Sequence, residues 1–383
     1  MPSASESLRT LLETKRVIIT VGAGGVGKTT TAAALAVAAA QRGRRVLCLT
    51  IDPAKRLAQS LGLERMTREA ALIDPERFAA IGAPLKASLT IMMLDTKRTF
   101  DELVIKHSST PDKAQALLSN KLYQYMSTSL AGTQEYMAME KLVAVQADPR
   151  YDLIILDTPP TANALDFLDA PERMVQALDS AALRWFTEAF QSTGKLSLNL
   201  LARSAAIVLR GLGKITGGGF LEAMAEFISA LNDLFGGFRE RATLVEKSLR
   251  SPDVAFVLVT SPAPMSIQEV LYFSDRLVES SMPRGAFVVN RVRQHPPPLD
   301  GADAASVAAA LALLDVKLDD DAPARLLQAH ADAVKLAALD VENLATLSRR
   351  AGGDTPIVRV PELPSDVYDA RLLSKLASVL TAG

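Results

Sequence analysis

Residues Val17 to Thr31 read Val-Ile-Ile-Thr-Val-Gly-Ala-Gly-Gly-Val-Gly-Lys-Thr-Thr-Thr, and the reading of this stretch decides the fold. Five β-branched residues run straight into Gly22, and a helix-favouring Ala/Leu/Val run begins at Thr29. The order is strand, glycine loop, helix. Gly22 to Thr29 fits G-x-x-x-x-G-K-[ST], the phosphate-binding loop. Glycines let a backbone turn its N–H groups inward around phosphate oxygens, and the helix N-terminus adds partial positive charge. The pattern gives phosphate contacts to Gly22, Gly24, Gly25, Val26, Gly27, Lys28, Thr29 and Thr30. Within it Lys28 faces the β- and γ-phosphates as a catalytic cation, and the Thr29 hydroxyl is a Mg²⁺ ligand.

The same letters satisfy G-x-G-x-x-G at Gly22, Gly24 and Gly27, and Asp52 ends the next apolar run where a dinucleotide fold keeps its ribose-binding acid. Spacing does not separate the two readings. Lys28-Thr29-Thr30 does, because a pyrophosphate held by backbone alone has no use for a lysine and a metal-binding hydroxyl after the third glycine.

The chain has 383 residues, 49% of them hydrophobic, enough for one large α/β domain with an insertion or for two domains. Forty-two Lys and Arg against 43 Asp and Glu leave a net charge of −1, which disfavours nucleic acid as a partner. The basic cluster Arg42-Gly43-Arg44-Arg45 reads as a solvated turn. The single cysteine, Cys48, excludes an intramolecular disulfide or a multi-cysteine metal site and reads as a buried strand residue. The first 16 residues lack the apolar core of a signal peptide, and no uncharged apolar run reaches membrane-spanning length, so a soluble, cytoplasmic protein is expected.

Arg45 to Thr50 is a second strand, followed by Asp52-Pro53-Ala54. A carboxylate at the carboxyl end of a parallel strand projects into the ligand crevice, which makes Asp52 a candidate to orient water or Mg²⁺. A helix N-cap ahead of Pro53 is the alternative. Ser88 to Leu94 is a third strand, and helical patterning covers 95 to 147. Tyr151 to Asp157 is an apolar run closing on Asp, the Walker B pattern, in which Asp157 holds Mg²⁺ through its water shell. Residues 1–170 therefore read as a P-loop nucleoside-triphosphate-binding core and 171–249 as a helical insertion. In that insertion Phe220, Met224, Phe227, Leu231, Phe235 and Phe238 fall on one apolar stripe. The stripe either packs on neighbouring helices or forms a groove for another protein's apolar helix. Residues 250–383 return to the core. Val254 to Val259 and Ala286 to Val289 are strands, with Asn290 closing the second; alanine-rich helices fill 302 to 351, and Pro356 to Val360 is a final strand. His107, His295 and His330 lack metal-ligand spacing.

With these segments placed, the chain resembles the ArsA family of dimeric ATPases, which includes arsenite-pump motors and guided-entry ATPases for tail-anchored proteins. Gly22 to Thr30 resembles that family's phosphate loop, Asp52-Pro53-Ala54 its switch I, and Asp157 to Asn163 its switch II. Asn290 resembles its adenine-reading asparagine, and Val360 to Pro364 the loop covering the base, which makes Pro361 and Leu363 adenine contacts. The resemblance implies a doubly wound, mostly parallel α/β P-loop fold of the deviant Walker A type with a helical subdomain. It also implies ATP and Mg²⁺ as ligands, Asp52 polarising the attacking water, and two subunits closed by ATP. Three departures stand out. Ala23 replaces a lysine that reaches across the dimer, the zinc-binding cysteine pair is absent, and so are the arsenite-trapping cysteines. No zinc and no arsenite function are expected. The reading is an ATPase switch, homodimeric or paired with a lysine-bearing related subunit and then slow alone, acting on an apolar helix or a membrane-associated partner from the cytoplasm or the membrane periphery. A partitioning or positioning ATPase is the alternative, although such proteins are usually shorter and keep the lysine. A non-cycling nucleotide sensor is a further one, weighed down by the presence of Lys28, Thr29, Asp52 and Asp157.

Overall fold

Every residue of β1 (Val17–Val21) is buried, the condition of a parallel strand covered on both faces. The computed structural model describes residues 4–51, 58, 61, 69–121, 123–124, 127, 133–158, 168–170, 172–173, 176, 240–313, 319–353 and 355–382. In chain order the elements are α1 (Ala4–Thr14), β1, α2 (Lys28–Gln41), β2 (Val46–Thr50), β3 (Ala71–Leu72), α3 (Glu76–Ala79), β4 (Leu89–Met93), α4 (Thr96–His107) and α5 (Pro111–Ser119). There follow α6 (Thr133–Gln146), β5 (Leu153–Asp157), β6 (Val254–Thr260), α7 (Pro264–Glu279), β7 (Arg284–Val292), α8 (Ala304–Leu313), α9 (Ala322–Ala351), β8 (Ile357–Pro361) and α10 (Ala370–Thr381).

The eight strands form one sheet in the order β3-β4-β2-β5-β1-β6-β7-β8. All neighbours are parallel except the edge pair β3–β4. From β1 the chain steps outward to β2 and β4, then returns to insert β5 between β1 and β2, and finally builds the other side with β6, β7 and β8. Strand order therefore reverses beside β1, and the carboxyl ends of the strands flanking that reversal open a crevice. This is a doubly wound, mostly parallel α/β sheet.

Alternation along the strands divides the core into two layers. Ile18, Val46, Cys48, Leu153, Ile155, Val257 and Val259 pack on one face with α1, α2 and α10. Val17, Ile19, Leu47, Leu49, Ile154, Phe256 and Phe287 pack on the other with α4, α6, α7 and α9. In α2 every residue from Thr31 to Ala40 is buried, as befits a helix that is apolar all round. Its alanines let the sheet approach on one side and Leu373, Leu376 and Leu380 of α10 on the other. No helix among the described residues is long and apolar enough to cross a membrane.

The sequence places the strands well and misses four elements, α1, the two-residue β3, the short α3 and the 16-residue α7. It also shortens β7, which runs on through Asn290 to Val292 with a register shift between Val289 and Val292. The basic cluster is a correction. Arg44 is not a solvated side chain: its guanidinium donates to the carbonyls of Leu12, Glu13, Lys15 and Asp152. Two of these are end carbonyls of α1, which have no partner within their own helix. Arg45 grips Asp152 with two side-chain bonds of 3.0 and 2.6 Å and a backbone bond of 2.9 Å. The cluster thus ties α1, β2 and β5 together at the amino-terminal edge of the sheet.

The Arg45 hydrogen bonds hold the Asp152 carboxyl at about 2, below its ordinary 3.8. A depressed folded-state value means that the pair's contribution is complete above pH 3.8 and is lost as pH falls towards 2. In denaturant titrations between pH 4 and 2 the midpoint of Asp152→Asn should therefore fall less than that of the wild-type chain; parallel curves would rule the pair out as a stabilising contact.

Candidate active site

The glycine loop is folded onto the sheet by close backbone contact. Gly22 has φ 151°, and a Cβ there would stand 2.0 Å from the carbonyl oxygen of Val259 in β6. Gly27, in the left-handed region at φ 98° and ψ 25°, is the residue that starts α2. A Cβ on it would meet Asn290 Nδ2 at 2.3 Å. Only glycine fits either place. Gly24 and Gly25 form the exposed tip, while Val26 tucks inward at 4% exposure. Lys28 is only 6% exposed, and its Nζ donates to the carbonyl of Ala23 at 2.7 Å, so the ammonium already curls back over the loop. Thr29 and Thr30 lie half-buried in the first turn of α2, which has no side-chain cap and no acidic residue. That leaves the positive end of the helix dipole for an anion.

Asp157 ends β5 in a row of polar side chains. Its register partners are Thr20 of β1 on one side and Thr50 of β2 on the other. By strand alternation all three share the α2 face with Ile18, Cys48 and Ile155. Thr50 Oγ1 donates to Asp157 Oδ2 at 3.0 Å, and Ile51 N donates to the Asp157 carbonyl at 3.4 Å. Thr158 Oγ1 donates to the Thr20 carbonyl at 2.8 Å. A carboxylate 1% exposed among neutral hydroxyls is a hard-oxygen set, the chemistry Mg²⁺ takes. Among the described residues no three His, Cys, Asp or Glu side chains converge, so a Mg²⁺ ion here would draw most of its ligands from water and phosphate. The carboxylate acts on its other neighbour too: burial first, then the Asp157 charge, pushes the Cys48 thiol far above its ordinary value.

On the far side of the loop a cleft of about 360 Å³ is lined by Gly27, Thr30, Asn290, Pro361 and Leu363. The residues singled out for adenine therefore sit together, beside the start of α2. Asn290 is anchored to the phosphate loop itself, Nδ2 donating to the Val26 carbonyl at 2.9 Å. Asp52 lies outside the described residues, as do Pro159 to Asn163, Trp185 and the stripe from Phe220 to Phe238. Ile51, the residue before Asp52, is buried at the end of β2.

Sequence reading missed Thr20, Thr50 and the bulge at Asn290, and it placed Thr158 in switch II without its bond to the Thr20 carbonyl. The first two were within reach, since Thr50 is the last residue of β2 and Thr20 the last but one of β1, each in step with the apolar residue two positions before it. What the sequence could not supply is the register that sets both against Asp157.

A doubly wound sheet with this loop at its reversal point, and a buried aspartate beside it, defines a P-loop nucleoside triphosphatase. The chain belongs to the anion-transporting ATPase family, ArsA, whose model matches residues 15–297, and it is an ATP-hydrolysing enzyme of that family. It is 27% identical over 282 residues to the ATPase get3 of Aspergillus terreus, covering 73% of this chain and 74% of the relative. It is also 27% identical over 294 residues to the ATPase GET3 of Paracoccidioides lutzii, covering 76% and 77%.

Gly27→Ala should cost about 1–3 kcal/mol of stability and weaken ATP binding as well, since the new methyl displaces Asn290. Gly43→Ala is the control. Gly43 is equally left-handed at φ 92° but has nothing within 4 Å of the added carbon, so it should lose stability and keep its ATP affinity. Equal binding losses in the two variants would count against the Gly27–Asn290 contact.

Proposed function

We propose that this ATPase is a Mg-ATP-driven dimeric switch that couples nucleotide state to binding of an apolar helix or a membrane-associated partner. The observation that carries the reading is the link between the ends of β2 and β5. Thr50 and Ile51 are both hydrogen-bonded to Asp157, so the segments that begin at Asp52 and at Thr158 leave the sheet from one joined point. A group bound there biases both segments at once.

In this reading Gly22 and Gly24 to Thr30 wrap the phosphates with backbone amides. Lys28 gives up the Ala23 carbonyl for the β- and γ-phosphates. Asp52 orients the attacking water. Thr29 and Asp157, the latter through water, hold Mg²⁺, with Asp52 near enough in sequence to the same joined point to share it. The ion, when bound, neutralises charge on the β- and γ-oxygens. Asn290, Pro361 and Leu363 hold the base. Residues 1–170 and 250–383 make up the ATPase core and 171–249 the client-binding insertion. The helix over 240–249 that closes the insertion lies on α6. Arg241 Nε bonds Glu140 at 3.2 Å with both side chains largely buried, and Ser248 bonds Gln146 at 2.8 Å. A buried pair of this kind resists separation, so movement of the insertion would be passed to α6.

Ala23 leaves the loop without the cation that a lysine there would supply to the transition state. Either turnover is slow or a related subunit brings the lysine. Two measurements test the switch: steady-state ATP hydrolysis and molecular mass with and without Mg-ATP. Asp52→Asn should lower turnover about 10²–10⁴-fold while ADP affinity holds. Ala23→Lys should raise turnover, and Mg-ATP should double the mass. Turnover indifferent to Asp52, or a Mg-ATP-bound chain that stays monomeric alone and with its related subunit, would sink the proposal. A salt-dependent shift with duplex DNA would favour the partitioning alternative.

A further inference from the structure

Arg291 is one of two described residues other than glycine with positive φ, at 61°, and it lies in the bulge of β7 next to Asn290. A side chain with a Cβ is disfavoured in that conformation, and glycine would adopt it freely. The surroundings enforce it from both sides. Before it, Asn290 is tied to the Val26 carbonyl. After it, Glu362 N donates to the Val292 carbonyl at 2.9 Å, and Arg293 is held through its backbone N and its Nη1 by Asp340, each at 2.9 Å. Asp340 is 2% exposed, so this clamp is a buried carboxylate that fixes the end of β7 to α9. Strain held in place this firmly, beside a binding cleft, points to a need for the arginine side chain itself.

Arg291 lines the 360 Å³ cleft, is exposed, and makes no side-chain hydrogen bond or ion pair with any described residue. The same cleft carries the carboxylates of Glu362 and Asp366 and the apolar surfaces of Pro361 and Leu363. A flat, neutral, weakly polar ring suits this lining, and a planar guanidinium covers such a ring well.

We propose that Arg291 lays its guanidinium on the face of the purine, so that it binds the base of the nucleotide and not its phosphates. The proposal rests on the reading of this cleft as the base end of the ATP site. The test is calorimetric titration of the full chain with Mg-ATP, Mg-ADP and inorganic tripolyphosphate, a probe that has phosphates and no base. Arg291→Gly, which accepts φ 61° without strain, should weaken ATP and ADP binding by about 3–30-fold, leave tripolyphosphate affinity within about twofold, and not lower the unfolding temperature. Arg291→Lys keeps the charge without the plane and should recover little of the lost affinity. Equal loss of tripolyphosphate and ATP would place the guanidinium on phosphate and overturn the proposal, as would unchanged affinity for all three. Failure of the underlying site reading looks different. It would appear as Lys28→Ala leaving both ATP and tripolyphosphate binding intact, and the proposal would fall with it.

Discussion

The phosphate loop is held to the sheet at a point where two backbones touch, and much else follows from that contact. A single methyl at Gly22 would stand 2.0 Å from the Val259 carbonyl, so β1 must give way to a turn there and β6 must run alongside it. The turn then reaches the left-handed Gly27 five residues later, which fixes where α2 starts. Because α2 leaves the loop directly over the sheet, it is buried on every side from Thr31 to Ala40, and seven of those ten positions are alanine. The alanine run is therefore as much a part of the site as the glycines, since larger residues would lift the helix and the amides at its first turn with it.

The two halves of the chain meet at this loop. The first half provides the loop, the Thr20–Asp157–Thr50 row and the strand end leading into Asp52. The second provides Asn290, whose amide donates to Val26 within the loop, and the cleft walls from Pro361 onward. Parallel strands make this possible: with β1, β2, β5, β6, β7 and β8 all pointing one way, their carboxyl ends and the groups that follow them gather on one edge. The opposite edge does structural work, with Arg44 capping the end of α1 and Arg45 gripping Asp152.

The parts legible in the sequence were those written in local patterns. The strand–loop–helix unit and the apolar run closing on Asp157 each carry their own signature, and β1 and β5 end where those patterns end. Three features were hidden for separate reasons. Arg44 finds backbone carbonyls of Leu12, Glu13 and Lys15, and carbonyls leave no mark in a sequence. Thr20 and Thr50 join Asp157 through strand register, which depends on the order in the sheet. The bulge at Asn290 has no glycine or proline to announce it, because the left-handed position is filled by Arg291.

Cys48 lies directly under this assembly, in β2, fully buried and with its thiol held protonated by burial and by the nearby Asp157 charge. It is the only cysteine in the chain. A thiolate is the reactive form, so in the folded protein this sulfur is chemically silent and becomes reactive only when β2 opens. The chain is thus ready for single-site labelling. A cysteine introduced on any exposed surface can carry a fluorophore or spin label without removal of the native residue, and the native thiol remains as an internal clock for opening of the sheet beneath the nucleotide.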